Sequence, residues 1–433
     1  MQLTPEQQTA LDTIARLRTE GVAEIRLAGP AGTGKTTLIR SLLKHLAGQD
    51  IEVVTPTNKA AKVLRSKDVP ASTLYALFFT SNMEQNPPIT PEREAELLAG
   101  GMSPEEIDKQ KRARREETRK LTFYPNYELK AVSEGKRSFA DTIIVDESSM
   151  LQYWLLRHLR KMCNTMILVG DPHQLPPVND LIEAKGYFCT RDAHVELTTV
   201  MRQADGSPIL DLATHIRQGR FPEPLVRGLA PRDTFRRWIH PDRKVIAFTN
   251  AHRRQINALA RKALGYPGAL PKRGERLVCN TNVDSKLLNG TEVEVVEFHW
   301  PSTKSPTTGF IEGPPTASLT YKDDDGNLGH TLVNIGRFIE DLVEGSYPEK
   351  ELRRVIDVSK DDGEGASFSY GYCITAHKAQ GSEWDEVCVI DERFVLGKVD
   401  PTGESARRWI YTAITRAAKQ LVFADYRWIK AAA

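Results

Sequence analysis

The chain has 433 residues, of which 40% are hydrophobic and 27% charged, with a formal net charge of +2. This length is too great for one ordinary hydrophobic core, so we expect several domains. No segment approaches the roughly 18 consecutive apolar residues of a membrane span, which argues against a membrane protein, and the small net charge neither indicates nor excludes a nucleic-acid partner.

The amino-terminal segment predicts an amphipathic helix that begins at Thr4-Pro5. The segment lacks the apolar region of a signal peptide, so we expect a soluble, cytoplasmic protein. The five cysteines are scattered and include no C-x-x-C pair. This spacing predicts neither a zinc site nor a disulfide framework and favours a reducing compartment.

A strand-like run at Glu24 to Ala28 is followed by the loop GPAGTGKT and then by a segment with helical apolar spacing. This order is the context of a P-loop, in which backbone N–H groups surround phosphate oxygens at the positive end of a helix. Lys35 can reach the β and γ phosphates, and the Thr36 hydroxyl can hold Mg²⁺. The alternative is a glycine-rich structural turn. The residues predicted to bind nucleotide here are Gly29, Pro30, Ala31, Gly32, Thr33, Gly34, Lys35, Thr36 and Thr37.

Two further strand-like runs end in polar residues. Residues 142–145 lead into Asp146-Glu147, the pattern of a Walker B site, where Asp146 would hold Mg²⁺ and Glu147 would orient or deprotonate the attacking water. Residues 166–169 lead into GDPHQLPP, where Gln174 can sense the γ-phosphate; the alternative is a proline-rich turn. Polar residues after several parallel strands define a nucleotide crevice. The sequence therefore predicts a P-loop ATPase with ATP and Mg²⁺ as cofactors.

An ordered series of segments extends this pattern over most of the chain. They are LTPEQ (3–7), GPAGTGKTT (29–37), TPTNKAAKVL (55–64), ASTLY (71–75), VDESSM (145–150), VGDPHQLPPV (169–178), ELTTVMRQ (196–203), YCITAHKAQGSEWDEV (372–387) and RWIYTAITRAAKQLVF (408–423). In this order they resemble the motifs of superfamily 1B helicases of the RecD/Dda-like branch.

The resemblance implies nucleotide contacts outside the P-loop. Gln7 would contact the adenine edge, and Gly381 and Glu383 would contact the nucleotide. Arg202 and Arg416 would reach the γ-phosphate from a second domain, so hydrolysis would require domain closure. Without the family context, either arginine is more often a surface charge.

The resemblance also implies a path for single-stranded DNA, with contacts that track the backbone without selecting a sequence. Relatives usually carry histidine at the position of Tyr75, so ring stacking would replace a hydrogen bond there. The implied DNA-binding residues are Pro56, Thr57, Asn58, Thr73, Tyr75, Thr249, Asn250, Thr375 and His377.

We therefore expect an α/β fold with two RecA-like P-loop motor domains that contain parallel sheets, and two insertions. Motor domain 1A would comprise residues 1–80 and 136–180, and motor domain 2A residues 181–276 and 365–433. The charged, helix-forming insertion 81–135 would be a 1B domain with a strand-separating pin. The turn-rich, β-like insertion 277–364 would be a small SH3-like 2B barrel.

Two features of the 1B insertion keep alternatives open. Phe123, Tyr124 and Tyr127 are candidates for the pin, because an aromatic tip can replace lost base stacking. Equally, these rings can pack the helices of the insertion against the core. The basic run of residues 109–115 can meet phosphates or form a solvated helix face.

The resemblance implies an ATP-driven DNA helicase that moves 5′ to 3′ on single-stranded DNA and acts at junctions with duplex. It further suggests a working monomer, replication or recombination proteins as partners, and the host cytoplasm if the gene belongs to a phage. One alternative is a translocase that separates strands poorly. Another is a P-loop kinase or nucleotide-regulated binding protein without a DNA partner.

Overall fold

The structure, a computed structural model, forms two compact units. The first unit comprises Met1–Leu74, Tyr127–Gly265 and Tyr372–Ala433, and the second comprises Tyr75–Asn126 and Tyr266–Gly371. The domain boundaries expected from the sequence remain a prediction. The structure describes residues 3–81, 89, 91–119, 123–125, 135, 138–177, 186–200, 207–220, 240, 242–266, 270–281, 283, 287–301, 303–304, 311–312, 316–335, 338, 365–392, 395 and 403–425.

The described helices and strands are numbered in chain order. The helices are α1 Pro5–Thr19, α2 Lys35–His45, α3 Asn58–Arg65, α4 Leu74–Phe78, α5 Pro91–Ala99, α6 Pro104–Arg119, α7 Tyr153–Leu159, α8 Pro208–Arg217, α9 Asn250–Ala263, α10 Ala376–Ala379 and α11 Glu404–Ile414. The strands are β1 Glu24–Ala28, β2 Ile51–Thr55, β3 Ser72–Thr73, β4 Phe79–Ser81, β5 Phe123–Pro125, β6 Ala140–Val145, β7 Cys163–Gly170, β8 Val195–Glu196, β9 Lys244–Ala247, β10 Arg276–Cys279, β11 Glu292–His299, β12 Thr303–Lys304, β13 Ile311–Glu312, β14 Thr316–Asp323, β15 Leu328–Asn334, β16 Phe368–Tyr370, β17 Cys373–Thr375, β18 Trp384–Asp391 and β19 Ala417–Asp425.

Helix α1 begins where the sequence predicts, because Thr4 and Gln7 form a capping box. The Thr4 hydroxyl accepts a hydrogen bond from the Gln7 backbone N–H, and the Gln7 side chain accepts one from the Thr4 N–H. Pro5 occupies the first helical position, where its missing N–H costs nothing. The helix buries Leu11 and Ile14 in the core of the first sheet.

The first unit contains a six-stranded sheet in the order β3-β2-β6-β7-β1-β8. All its pairings are parallel. The inner strands β6 and β7 are apolar and almost entirely buried, as expected for a sheet covered on both faces. Because the strands are parallel, the residues that follow β1, β2, β6 and β7 meet at one edge of the sheet.

A second parallel sheet in the same unit has the order β17-β9-β18-β19. Strand β9 confirms the buried strand predicted within residues 245–250, and its four residues are all buried. Helix α9 follows β9, α10 follows β17, and α11 precedes β19. Two parallel sheets carrying helices confirm the predicted α/β class with two motor-domain folds.

The second unit is mainly antiparallel. Its five-stranded sheet has the order β15-β14-β11-β10-β16, with a register shift between Val295 and Glu297. Strands β10, β11, β14 and β15 confirm the strand-like runs predicted in this part of the sequence. That the sheet is an SH3-like barrel remains a prediction. A separate two-stranded hairpin pairs β4 with β5, so the backbone of Phe123 and Tyr124 lies in a strand, while Tyr127 lies outside the described residues.

The charged segment of the second unit forms α5 and α6. Helix α6 begins with a capping box in which the Ser103 backbone N–H donates to the Glu106 carboxylate at 3.0 Å and the Ser103 hydroxyl accepts from the Glu106 N–H at 3.3 Å. Lys111, within the basic run, forms an ion pair of 2.6 Å with Glu94. Across the described part of the chain, no helix combines the length and apolar character needed to cross a membrane.

Candidate nucleotide site and nucleic-acid interface

The P-loop connects β1 to α2 at the carboxyl edge of the first sheet. Gly32 and Gly34 both have φ of +83°, a conformation that favours glycine, and Gly34 is the residue that precedes α2. The Lys35 ammonium donates to the carbonyl oxygens of Gly29 at 2.7 Å and Pro30 at 3.0 Å. The Lys35 side chain therefore lies against the P-loop. Its positive charge would help this loop to bind phosphate.

Gln7 fixes the start of α1 to this loop. Its side-chain amide donates to the Thr33 carbonyl oxygen at 3.2 Å, and the glutamine is only 4% exposed. A Cβ atom at Gly34 would collide with the Gln7 amide nitrogen, so the position of the Gln7 side chain requires glycine at residue 34. The predicted contact of Gln7 with an adenine edge remains a prediction.

Asp146 and Glu147 follow β6 at the same edge. Burial and the neighbouring Glu147 carboxylate together raise the pKa of Asp146 to about 7, against the opposing effect of the Lys35 charge. Glu147 has φ of +54°, a backbone conformation that is strained for any residue other than glycine. Carboxylate and hydroxyl oxygens are the hard ligands that suit Mg²⁺. That Asp146 and Thr36 hold this ion remains a prediction.

Tyr411 of α11 bridges the P-loop and the end of β7. Its hydroxyl donates to Asp171 Oδ2 at 2.6 Å and accepts from the Ala31 backbone N–H at 3.0 Å. Asp171 is fully buried and also accepts from the His173 N–H at 3.0 Å. Burial and the Asp171 carboxylate raise the pKa of Tyr411 well above its ordinary value, so the hydroxyl keeps its proton.

The loop after β7 is held by side chains that precede or follow strands of the second sheet. The Thr412 hydroxyl accepts from the Leu175 N–H at 2.9 Å, and the Gln380 amide donates to the Leu175 carbonyl oxygen at 2.7 Å. Arg408 donates to the Gln174 carbonyl oxygen at 3.1 Å. Gln174 is 2% exposed, and its Oε1 has no hydrogen-bond partner among the described residues. Its role as a γ-phosphate sensor remains a prediction.

Arg416 lies at the end of α11 and is 6% exposed. Its guanidinium donates to the Thr412 and Ser382 carbonyl oxygens, both at 3.1 Å, and to the Thr415 hydroxyl at 3.2 Å. The structure thus joins the two segments that resemble the last helicase motifs. Arg202 lies outside the described residues, and Glu383 is exposed, so the nucleotide contacts expected of Arg202, Arg416 and Glu383 remain predictions.

Gly381 and Thr57 bring the predicted nucleotide and DNA residues together. Gly381 has φ of +70°, and a Cβ atom there would lie 2.8 Å from the Thr57 hydroxyl oxygen. Thr57 caps α3, since its hydroxyl accepts from the Ala60 N–H at 3.2 Å. A segment of the second sheet therefore approaches the helix that follows β2 of the first sheet.

The other residues predicted to bind DNA lie mostly where parallel strands end. Thr73 pairs in register with Thr55 across β3 and β2. Thr375 is the last residue of β17, and burial lowers the pKa of the nearby His377, so that imidazole is neutral at pH 7. Tyr75 lies in the second unit, where its ring packs against that of Phe79 with 5.7 Å between the ring centroids. Pro56 and Asn58 flank Thr57, the N-cap of α3.

The Thr249–Asn250 loop is organised by a carboxylate that the sequence analysis missed. Glu392 is fully buried just beyond β18. It accepts from the Thr249 hydroxyl at 2.7 Å and backbone N–H at 3.2 Å, and contacts His252 Nδ1 at 2.5 Å. The Thr249 hydroxyl also accepts from the His252 N–H, so it already caps α9. Asn250 Oδ1 accepts from Arg253. DNA contact by this loop remains a prediction.

Comparison with known proteins places these features in a family. A model of the AAA domain family matches residues 2–235, more than half of the chain, and a model of the UvrD-like helicase C-terminal domain matches residues 370–424. The chain belongs to the AAA domain family. The first match covers the P-loop, Asp146 and Asp171, and the second covers Gln380, Tyr411 and Arg416.

Two curated relatives of this AAA domain chain carry helicase names. It is 25% identical over 372 residues to the ATP-dependent DNA helicase dda of Enterobacteria phage T4, over 75% of each chain. It is 24% identical over 434 residues to the ATP-dependent RecD2 DNA helicase of Deinococcus radiodurans, over 96% of this chain and 48% of that protein. The resemblance to the RecD/Dda-like branch is thereby confirmed.

A solved structure supports the fold of this AAA domain chain. The Pif1 helicase from Bacteroides in complex with ADP-AlF3 and single-stranded DNA has a TM-score of 0.52 with it. The two are 19% identical, and the alignment covers 98% of this chain and 92% of that one. At this identity the likeness concerns the fold alone.

The residues that the sequence analysis missed share one property: they act on other protein groups. Tyr411, Asp171 and Gln380 lie inside the segments that carried the resemblance, yet nothing in their spacing indicates a partner. Glu392 had the available signal, since it is an acidic residue after an apolar strand, the same pattern that identified Asp146. Tyr411, Asp171 and Gln380 connect the site of the AAA domain to the second sheet, whereas Glu392 acts within the second sheet.

Proposed function

We propose that this chain is an ATP-dependent DNA helicase that moves along single-stranded DNA, 5′ to 3′, and couples ATP hydrolysis to duplex unwinding. The observation that carries this proposal is the set of hydrogen bonds by which Tyr411, Thr412 and Gln380 join the second parallel sheet to the P-loop and to the loop after β7. An ATPase site connected in this way to a second motor fold can convert nucleotide state into movement. The helicase names of both relatives support the same function.

The P-loop residues bind and orient the nucleotide in this proposal. The loop amides and Lys35 hold the phosphates, and Glu147 positions the attacking water. Thr36 and Asp146 would hold Mg²⁺, which supplies positive charge beside the transferred phosphate. Charge placed there lowers the barrier because the negative charge of the phosphoryl group is redistributed in the transition state.

Closure of the two motor folds would complete the site. Arg416 and Arg202 would approach the γ-phosphate, and Gln174 would report its presence to the adjoining loop. Arg416 begins from a buried position at the end of α11, bonded to the Ser382 carbonyl, so a small movement of this helix would also displace the segment that contains Gly381. Hydrolysis would reverse the movement and advance the DNA by a small step.

The nucleic-acid contacts follow from the same arrangement. The segments after β2, β9 and β17 carry the proposed DNA-binding residues, and backbone contacts of this kind suit a motor that must pass any base. One solved Pif1 helicase of similar fold is in complex with single-stranded DNA, and the structure of another is described as the basis for DNA unwinding at forked duplex DNA. We propose junctions of single-stranded and duplex DNA as the substrate, a monomer as the working form and the cytoplasm of the host cell as the location.

The experiment is ATP hydrolysis with and without single-stranded DNA, together with unwinding of duplexes that carry a 5′ or a 3′ single-stranded tail. The proposal predicts strong stimulation by DNA and unwinding from the 5′ tail only. Stimulation without unwinding would show a translocase that separates strands poorly. No stimulation by DNA would refute the helicase assignment.

A further inference from the structure

A cavity lined by basic side chains lies beside the P-loop in the first unit. Its volume is about 190 Å³, several times the ~30 Å³ occupied by one water molecule in the liquid, so it has room for a small oxyanion with ordered water. The lining residues are His173, Arg217, Glu404, Arg407, Arg408 and Tyr411. Three guanidinium groups and an imidazole thus face a cavity whose lining includes one carboxylate.

The carboxylate does not offset all of this charge. Glu404 is paired with Arg408 at 3.1 Å, and Arg408 also donates to carbonyl oxygens of the loop after β7. Neither the Arg217 nor the Arg407 guanidinium has an ion pair or hydrogen bond within the part of the chain that the structure describes, although both residues are half-buried. Half-buried guanidinium groups without a partner are the usual recognition element for planar or tetrahedral oxyanions.

Tyr411 separates this cavity from the phosphate-binding loop. Its hydroxyl bonds the Ala31 N–H on one side and the buried Asp171 on the other, and its ring lies 6.2 Å from that of His173. The cavity is therefore one side chain away from the P-loop.

We propose that this cavity is a second anion site, which holds the inorganic phosphate released by hydrolysis before it reaches solvent. The source of the phosphate rests on the proposed ATPase function, whereas binding of the anion does not. Arg217 from α8 and Arg407 from α11 would bind the phosphate oxygens, and His173 would lie against the bound ion. Because the two arginines belong to different helices, an occupied cavity would also draw α8 and α11 together.

His173 supplies a direct readout of occupancy. Burial lowers its pKa, the Asp171 and Glu196 carboxylates oppose this shift, and the positive charges of Arg217 and Arg408 add to it. A phosphate dianion between these arginines would offset their effect and raise the pKa of His173. The protein without nucleotide or DNA is therefore titrated with inorganic phosphate while the imidazole signals are followed by NMR, and the His173 signal is assigned with His173→Asn.

The decisive variants are Arg407→Gln and the double change Arg217→Gln with Arg407→Gln. Each charge-assisted contact contributes about 1.5–3 kcal/mol, so each change should weaken phosphate binding about tenfold or more. Arg16→Gln removes an exposed arginine of α1 that is paired with Glu20, and it should leave binding unchanged. In the Lys35→Ala background the His173 response should persist, because the anion binds outside the P-loop.

Three results would overturn the proposal. One is a His173 signal that does not respond to phosphate, and another is a response that both arginine variants retain in full. The third is a response that an oligonucleotide produces and inorganic phosphate does not, which would assign the cavity to the nucleic-acid backbone. A failure of DNA stimulation, by contrast, would refute the helicase function and leave the anion site standing.

Discussion

Lys35 is the residue on which the proposed ATP hydrolysis depends most directly. Its ammonium lies within 2.7 Å of the Gly29 carbonyl, inside the phosphate-binding loop. Lys35→Ala removes a positive charge from the place where negative charge is redistributed, so hydrolysis should fall by at least about 100-fold. Lys44→Ala, an exposed residue in the last turn of the same helix, is the matched control. Turnover that survives in Lys35→Ala would refute the site.

The raised pKa of the buried Asp146 carboxyl group predicts that the stability of the protein depends on pH. The folded pKa of about 7 exceeds the unfolded value of 3.8, so the charged carboxylate destabilises the fold as pH rises above 3.8, and the penalty is complete above 7. With EDTA present, Asp146→Asn should stabilise the protein by roughly 2 kcal/mol more at pH 8 than at pH 5. Urea unfolding at both pH values measures this difference.

Asp12→Asn is the control for that experiment, since Asp12 is exposed on α1 and accepts a hydrogen bond from Gln8. It should change stability little at either pH. An equal effect of Asp146→Asn at pH 5 and pH 8 would show that the carboxylate is not protonated in the folded protein.

At the residue scale, the sequence is informative where a residue acts on a ligand with fixed chemistry. Phosphate and Mg²⁺ constrain the spacing of Gly34, Lys35 and Thr36, so the pattern is visible without a structure. Tyr411 acts on Asp171 and Ala31, which lie hundreds of positions away in the chain. Their contact depends on how the two sheets pack, and no local pattern encodes it.

At the scale of elements, the start of α9 depends on the buried Glu392. The carboxylate accepts hydrogen bonds from the Phe248 and Thr249 backbone N–H groups and from the Thr249 hydroxyl. Glu392→Gln should destabilise the protein by about 1–3 kcal/mol and weaken binding of single-stranded DNA, because the loop before α9 loses its charged acceptor. Faster hydrogen exchange at the amides of residues 248, 249 and 252 would locate the effect.

Asp385→Asn provides the comparison for Glu392→Gln. Asp385 lies on the adjoining β18, and its ion pair with Lys419 is exposed, so its loss should be nearly neutral. If Glu392→Gln changes exchange no more than Asp385→Asn does, then Glu392 has no positioning role.

The β4–β5 hairpin is the element that would distinguish unwinding from translocation. Strand β5 contains Phe123 and Tyr124 and pairs with β4, so this part of the predicted pin has a defined backbone. Tyr124→Ala should reduce duplex unwinding several-fold and leave DNA-stimulated hydrolysis unchanged, because loss of a stacking ring affects only the junction. Tyr153→Ala, in α7 of the first unit, serves as an aromatic control. Parallel loss of hydrolysis in Tyr124→Ala would indicate a structural role.

Elements were predictable where hydrophobic period and capping agree. Strand β1 begins and ends where the sequence indicates, and α1 begins at its predicted capping box. The two-residue strands β3 and β8 were not foreseen, because their pairing partners, not their composition, make them strands. Whether the antiparallel sheet closes into a barrel also depends on contacts between distant parts of the chain, which no local sequence pattern indicates.

At the scale of the whole molecule, segments that follow strands of the two parallel sheets are in close contact. The packing of Gly381 against Thr57 joins the predicted nucleotide and DNA residues, and a Cβ atom would not fit between them. Gly381→Ala should therefore push these segments apart and reduce stimulation of hydrolysis by single-stranded DNA several-fold. Nucleotide binding is measured separately, because Gly381 is itself a predicted nucleotide contact and a lower affinity would also reduce hydrolysis.

The matched control for Gly381→Ala is Gly265→Ala. Gly265 has a similar φ of +78°, but a Cβ atom there would meet nothing within 4 Å. Both substitutions carry the same backbone strain, so only the collision with Thr57 distinguishes them. The measurement is the ratio of hydrolysis rates with and without DNA, alongside nucleotide binding. If the two variants lose stimulation equally, backbone strain explains the loss and the Gly381–Thr57 contact does not couple the sheets.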